Sequence, residues 1–267
     1  NFWLSLGLSF FMLLYTLILA EIQADRWSDY YGVKNATVCS LHNIEQTIPA
    51  ILLDPLWNLL GLNKVKMTPS AFKDKLGVFG EPTTLGILLG FIIGVLGNLK
   101  DLGPLQAWGQ ILQFSIQLAA VMTIFPLVTN VFAKAFTPLA DEIDKNRKQE
   151  SQAEGKEIDK INDKKRWFLA VDDGVGYGEP ATIIAGVILI PIMVLIAFLL
   201  PGNKTLPIVD LISLPFMVES IVAITRGNIL KVIANGIVWF SLGLYASSWL
   251  GTIYTGAVSH YGAAIPA

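Results

Sequence analysis

Charge in this chain is swept into one block, and long uncharged runs fill most of the rest. Residues Asp141–Arg166 carry eight acidic and eight basic side chains, sixteen of the forty Asp, Glu, Lys and Arg residues in the 267-residue sequence. Uncharged runs cover Phe2–Ala20, Pro82–Leu99, Leu102–Ala133, Pro180–Asn203 and Val232–Ser259. A helix needs about 20 apolar residues to cross the hydrocarbon core of a bilayer. In lipid every backbone N–H and C=O must be satisfied within the protein, so runs like these fold as helices. Only 15% of the residues are charged, against about 25% in soluble domains, which argues against an ordinary soluble enzyme. A net charge of −2, with basic residues sitting beside acidic ones, excludes a nucleic-acid binder and leaves nothing of a disordered chain's composition. Phe2–Ala20 lacks the basic flank of a signal peptide and reads as a span. The chain starts at Asn1 and enters an apolar run at once, so it is expected to be part of a longer protein.

Two further segments are apolar but broken. Val38–Leu62 contains His42, Glu45 and Asp54 with prolines at 49 and 55, and Leu206–Thr225 contains Asp210 and Glu219 with prolines at 207 and 215. Acid-bearing, proline-broken segments predict discontinuous or re-entrant helices, which survive at membrane depth only where protein or a water-filled cavity covers them. Transporters place substrate sites at such elements. The fold class expected is an all-α polytopic membrane protein of about six to seven transmembrane or re-entrant segments with an internal repeat. The basic residues are unevenly shared among the connections, and the positive-inside rule puts 61–80, 139–170 and 226–231 in the cytoplasm. That count requires Leu206–Thr225 to cross. The block at 139–170 is expected to be a charged, partly helical cytoplasmic loop, with Asp141→Lys145 and Asp144→Lys148 at i,i+4 spacing.

One hexapeptide occurs twice. Phe79-Gly80-Glu81-Pro82-Thr83-Thr84 returns as Tyr177-Gly178-Glu179-Pro180-Ala181-Thr182, and each copy leads into an uncharged span. Proline suits the first turn of a helix, where its missing N–H costs nothing. The preceding glutamate then sits at the N-cap, facing free amides and the positive end of the helix dipole. Glu81 and Glu179 therefore either cap their own helices or face a translocation cavity and take hydroxyl hydrogen bonds, and the two roles are compatible. Gln106, Gln110, Gln113 and Gln117 fall on one helix face, as interhelical glue or as the lining of a polar path, with glue favoured. Ser40–Thr47 concentrates polar side chains in apolar surroundings. His42, Asn43 and Glu45 are its candidate ligands, and His42 and Glu45, three residues apart, can share one helix face. A single cysteine and two histidines exclude a disulfide framework and a Cys- or His-rich metal site. No metal, cofactor or catalytic residue is expected.

These blocks resemble the membrane-embedded IIC component of the galactitol family of the phosphoenolpyruvate-dependent phosphotransferase system. The resemblance is carried by Phe72-Lys73-Asp74-Lys75-Leu76-Gly77-Val78-Phe79-Gly80-Glu81-Pro82 with Thr84 and Gly86. It continues in Pro201-Gly202-Asn203-Lys204-Thr205-Leu206-Pro207 with Asp210, and in Arg226-Gly227-Asn228 with Leu230. It covers nearly the whole chain, as the C-terminal portion of a longer member, and implies a fold related to the ascorbate and galactitol IIC proteins. It also implies a homodimeric permease subunit in the cell inner (cytoplasmic) membrane. Such a subunit carries a polyol or sugar inward while a IIB partner, charged by IIA, phosphorylates it from a cysteine. Cys39 is not that cysteine, which belongs to IIB. Where family members often have Pro-His-Gly, this chain has Leu41-His42-Asn43. The substrate-binding set expected is His42, Asn43, Glu45, Glu81, Glu179 and Asp210. An ion-coupled secondary transporter using Glu81 and Glu179, or a scaffold that does not transport, are the other classes such a sequence permits.

Overall fold

The structure, a computed structural model, describes residues 2–65, 67–100, 102–153, 168–176, 178–207 and 210–260. Among them, helix α1 (Phe2–Tyr31) leads into a short strand, β1 (Ala36–Val38), and then a broken pair, α2 (Leu41–Ile44) and α3 (Thr47–Leu59). Helix α4 (Pro69–Leu76) and a 3-10 turn precede α5 (Pro82–Gly97) and the long α6 (Leu105–Ala153). Strand β2 (Leu169–Val171) and a second 3-10 turn lead to α7 (Pro180–Leu199), a second broken pair, α8 (Asp210–Met217) and α9 (Glu219–Thr225), and finally α10 (Ile229–His260). Among the described residues, Phe2–Tyr31, Leu105–Ile124, Pro180–Leu199 and Ile229–Val258 are long and apolar enough to cross a membrane. The 16-residue α5 is apolar but shorter.

The uncharged runs became helices because in apolar surroundings the helix satisfies its own backbone. Their ends moved outward. Helix α1 continues through Glu21, Asp25, Arg26 and Asp29 to Tyr31, and α6 continues past Ala133, through Glu142 and Lys145, to Ala153. The first part of the expected 139–170 loop is thus helix, while 154–167 lies outside the described residues. Within that helix Lys145 Nζ meets Glu142 at 3.7 Å, an i,i+3 pair rather than the i,i+4 pair with Asp141. The side chains of Asp144 and Lys148 lie outside the described residues. The two proline-bearing segments are discontinuous as expected, each split into two helices, but the breaks fall at 45–46 and at Val218 and not at the prolines, since Pro49 and Pro55 lie within α3 and Pro215 within α8. The strands are an addition to the helical reading. β1 and β2 pair in parallel, Ala36 opposite Leu169 and Val38 opposite Val171, and three-residue strands carry too little alternation to be read in advance.

Helix α7 is the centre of the larger core. Residues 181–187 are buried without interruption, as a helix that is apolar all round should be, while its far end exposes Phe198 and Leu199. Gly186 lets Pro215 of α8 lie directly against it. Helices α5 and α6 form a hairpin whose seam is small. A Cβ on Gly86 or Gly90 would overlap the α6 backbone at Ala119 or Ser115, the close approach by which small residues join helices in lipid. The seam of this hairpin is therefore this glycine row and not the glutamine stripe. Gln106, Gln110, Gln113 and Gln117 are exposed on the neighbouring face of α6, and the last three line a groove with Asn98. Gly90→Leu is expected to lower the stability of the purified protein in detergent by about 1–3 kcal/mol through overpacking. Gly97→Leu, whose added Cβ meets open space, should leave the melting curve unchanged.

Candidate functional site

The repeated hexapeptide places both glutamates at N-caps with nearly the same backbone: φ −73°, ψ 138° at Glu81 and φ −70°, ψ 133° at Glu179. In each case the proline takes the first helical turn. The side chains then part company. Glu179 Oε2 accepts from Thr182 N at 2.9 Å and from Thr182 Oγ1 at 3.0 Å, and its Oε1 accepts from the Tyr30 hydroxyl at 2.8 Å. Glu81 makes no bond to the amides of its own first turn. Of the two aromatic residues that open the hexapeptides, Tyr177 lies outside the described residues, as does the side chain of Phe79.

The parallel strand pair does the positioning in front of α7. Because β1 and β2 run side by side in register, the residues that follow them also meet. Ser40 Oγ donates to Asp172 at 2.8 Å, and His42 Nε2 lies 2.6 Å from Asp173 Oδ2. The Ser40 hydroxyl holds the Asp172 carboxyl below its ordinary range, and burial pushes that of Asp173 up. The His42 side chain is about half exposed, at 48%, whereas that of Asp173 is 12% exposed. The histidine is thus oriented by a mostly sequestered carboxylate and keeps one side open.

Behind it lies a fully buried carboxylate, Glu219, the first residue of α9. Its Oε1 accepts from Trp27 Nε1 at 2.7 Å and its Oε2 from Asn43 Nδ2 at 3.2 Å. Asn43 also donates to Phe216 O at 2.7 Å and accepts from Ser220 N at 3.0 Å, so its amide bridges the break between α8 and α9. Tyr31, stacked beside Trp27 at 4.8 Å, donates to Glu219 O and pairs with Thr182 Oγ1. One face of α1, Trp27-Tyr30-Tyr31, therefore ties both the capped start of α7 and the broken α8–α9 segment to α2. The Arg226-Gly227-Asn228 block has a physical role here. Gly227 ends α9 at φ 70°, and a Cβ there would overlap the Tyr30 hydroxyl.

Glu45 stands apart from this network. It ends α2 and shares the wall of a cavity of about 460 Å3 with Trp239, Met217 and Thr205. Of the expected substrate set, the fold thus places His42, Asn43 and Glu45 on α2 and at its end, holds Glu179 at the head of α7 against Tyr30 of α1, and sets Glu81 at the head of a separate hairpin. Asp210 opens α8, but its side chain lies outside the described residues. Trp27, Tyr30 and Tyr31 were missed because the first uncharged run ends at Ala20, short of them. Glu219 was visible as an acid in a broken apolar segment, yet nothing local separates it from Asp210. Lys231, buried and bonded to Asp54 at 2.8 Å and Asn58 at 2.7 Å, is a further missed pairing, between α10 and α3.

A helical protein with apolar spans, two broken helices and a buried polar centre where they meet has the features of a membrane permease. The whole chain, residues 1–267, matches the family described as PTS system sugar-specific permease component, and the chain belongs to that family and is an integral membrane protein. It is 30% identical over 215 residues to proteins called PTS system galactitol-specific EIIC component from Escherichia coli strains K12 and O157:H7, covering 80% of this chain and 44% of each relative. It is 25% identical over 224 residues to a putative permease IIC component from strain K12, covering 84% of this chain and 47% of that protein. The chain therefore spans less than half the length of the curated relatives it matches. No solved structure matches it. Trp27→Phe, which keeps a ring but removes the donor to Glu219, is expected to cost about 1–3 kcal/mol. A double-mutant cycle with Glu219→Leu in thermal melts should show the two losses to be strongly non-additive.

Proposed function

We propose that this chain is part of the membrane permease subunit of a phosphotransferase system, moving a polyol or sugar of the galactitol kind inward as a IIB partner phosphorylates it. The match of the whole chain to the permease family carries this reading. The chemistry agrees with it. A polyol is uncharged and rich in hydroxyls, so it needs donors and acceptors held on broken helices rather than a countercharge. Phosphorylation adds about −1.5 to −2 charges, and a charged product recrosses the bilayer poorly. Within the expected set, His42 and Glu45 are the residues that meet substrate. Asn43 and Glu179, whose polar atoms are engaged by the protein, hold the helices around them. Glu81 and Asp210 complete the set from α5 and α8.

The placement in the inner membrane, with 61–80, 139–170 and 226–231 on the cytoplasmic side, draws support from the contacts at the two ends of α10. At its start Asn228 Nδ2 donates to Leu62 O and Val65 O, and Ile229 N donates to Met67 O, which ties Leu62, Val65 and Met67 to the same side as 228–229. Lys204 N and Thr205 Oγ1 instead bond Ser248 Oγ, nineteen residues or about 28 Å further along the helix, close to a bilayer's thickness. The subunit works as a homodimer in lipid, with IIA recharging IIB.

Uptake of galactitol by cells carrying the complete permease should require both IIB and phosphoenolpyruvate. Uptake that survives loss of IIB, or that follows an ion gradient with no phosphate donor, would overturn the reading. His42→Ala, Glu81→Gln and Glu179→Gln are each expected to impair uptake, and Glu179→Gln should also lower stability by about 0.5–2 kcal/mol through the lost cap. Normal transport by all three variants at normal expression would remove them from the site.

A further inference from the structure

We propose that the cavity between α7, α8 and α10 is where the polyol lodges, and that Glu45 makes it selective for the uncharged substrate over its phosphorylated product. The inference rests on the permease reading above. The cavity, at about 460 Å3, falls within the range of small-molecule sites, about 300–1,000 Å3. Its wall is mostly apolar, from Met193, Leu214, Trp239 and Phe240, with a carboxylate and hydroxyls among them, Glu45, Thr205 and Ser247. That mixture suits a molecule with C–H faces and hydroxyl edges. The indole of Trp239 offers a flat apolar face for the former, and Glu45 accepts hydrogen bonds from the latter.

The described residues that line the cavity include no Lys, Arg or His. His42 lies outside that lining and is held by Asp173 at 2.6 Å, and Lys204, next to the lining residue Thr205 in the chain, is exposed and forms no part of the wall. The cavity therefore presents one acid and no cation to pair with an incoming anion. A polyol donates to that acid. A polyol phosphate, with its added negative charge, is repelled by it. Location agrees with a loading site. Trp239 and Gly243 lie ten and fourteen residues into α10, about 15 and 21 Å from its start, and Thr205 and Pro207 bring the wall to the connection at the opposite end. The cavity thus spans from the middle of the helix toward the side that the lysine count assigns to the exterior. Loading from that side and rejection of the product are what one-way transfer needs.

Gly243 makes the idea testable without disturbing the fold. It lines the cavity, and a Cβ built on it meets nothing within 4 Å, so a larger side chain has room to point into the space. Isothermal titration of the complete permease in lipid nanodiscs, with galactitol and galactitol phosphate as probes, reads the outcome. The wild type should bind galactitol and prefer it to the phosphate. Gly243→Leu should melt like the wild type and bind galactitol at least about tenfold more weakly. Trp239→Leu should weaken binding by roughly tenfold. Glu45→Gln should narrow the preference for galactitol over its phosphate by roughly 10- to 100-fold. Binding at wild-type strength in both Gly243→Leu and Trp239→Leu overturns the cavity while leaving the permease reading intact. An unchanged preference in Glu45→Gln overturns the role given to Glu45. Failure of the wild type to bind galactitol or any other sugar or polyol tested overturns the permease reading and this inference together.

Discussion

The arrangement of the interior depends on one buried carboxylate. Glu219 is fully sequestered, and a carboxylate taken out of water costs several kcal/mol unless its oxygens find partners. Those partners come from two other parts of the chain, Trp27 on α1 and Asn43 on α2. Each contact demands a particular placement of its helix. The Trp27 bond brings the last two turns of α1 against α9, and Asn43, bonded on both sides of the α8–α9 break, fixes where that break opens. A chain with an apolar residue at 219 would lose the reason for all three elements to converge.

Convergence at Glu219 also explains the treatment of the neighbouring acids. Glu179 is satisfied by its own first turn and by Tyr30, one residue from the tyrosine that contacts Glu219. Asp173 is satisfied by His42, the residue before Asn43. Adjacent side chains on α1 and on α2 thus serve different carboxylates, and a shift of either helix would disturb more than one pairing. Tight coupling of this kind fixes the placement of α2, which carries His42 and ends at Glu45.

Much of the architecture was legible because the physics behind it is local. A run such as Pro180–Leu199 has one stable form in lipid, and Pro191 inside it did not prevent the helix, since membrane helices tolerate proline. The N-cap geometry of Glu81 and Glu179 followed from proline's missing N–H and appeared twice with almost the same dihedral angles. The site was only partly legible. His42, Asn43 and Glu45 stood out as polar residues in apolar surroundings. The partners that give them roles lie far off in the chain. Asp173 is 131 residues from His42, and Glu219 is 176 residues from Asn43. No spacing rule links such distances.

The glutamine stripe of α6 draws the boundary sharply. Periodicity placed Gln106, Gln110, Gln113 and Gln117 on one face, and they lie there, yet the helix seam is made by Gly86 and Gly90 against Ala119 and Ser115. A sequence by itself determines which residues share a face, because the 3.6-residue period is built into the backbone. It determined here the membrane spans, the two broken helices and the repeated N-cap backbone at Glu81 and Glu179, all consequences of backbone hydrogen bonding without water. Only the tertiary structure decided which face meets which neighbour, that Glu179 takes a partner from α1 while Glu81 does not bond its own first turn, and that Glu219 rather than either repeated glutamate lies at the centre. Burial of a charge is a property of everything packed around it, and that is settled only when distant segments meet.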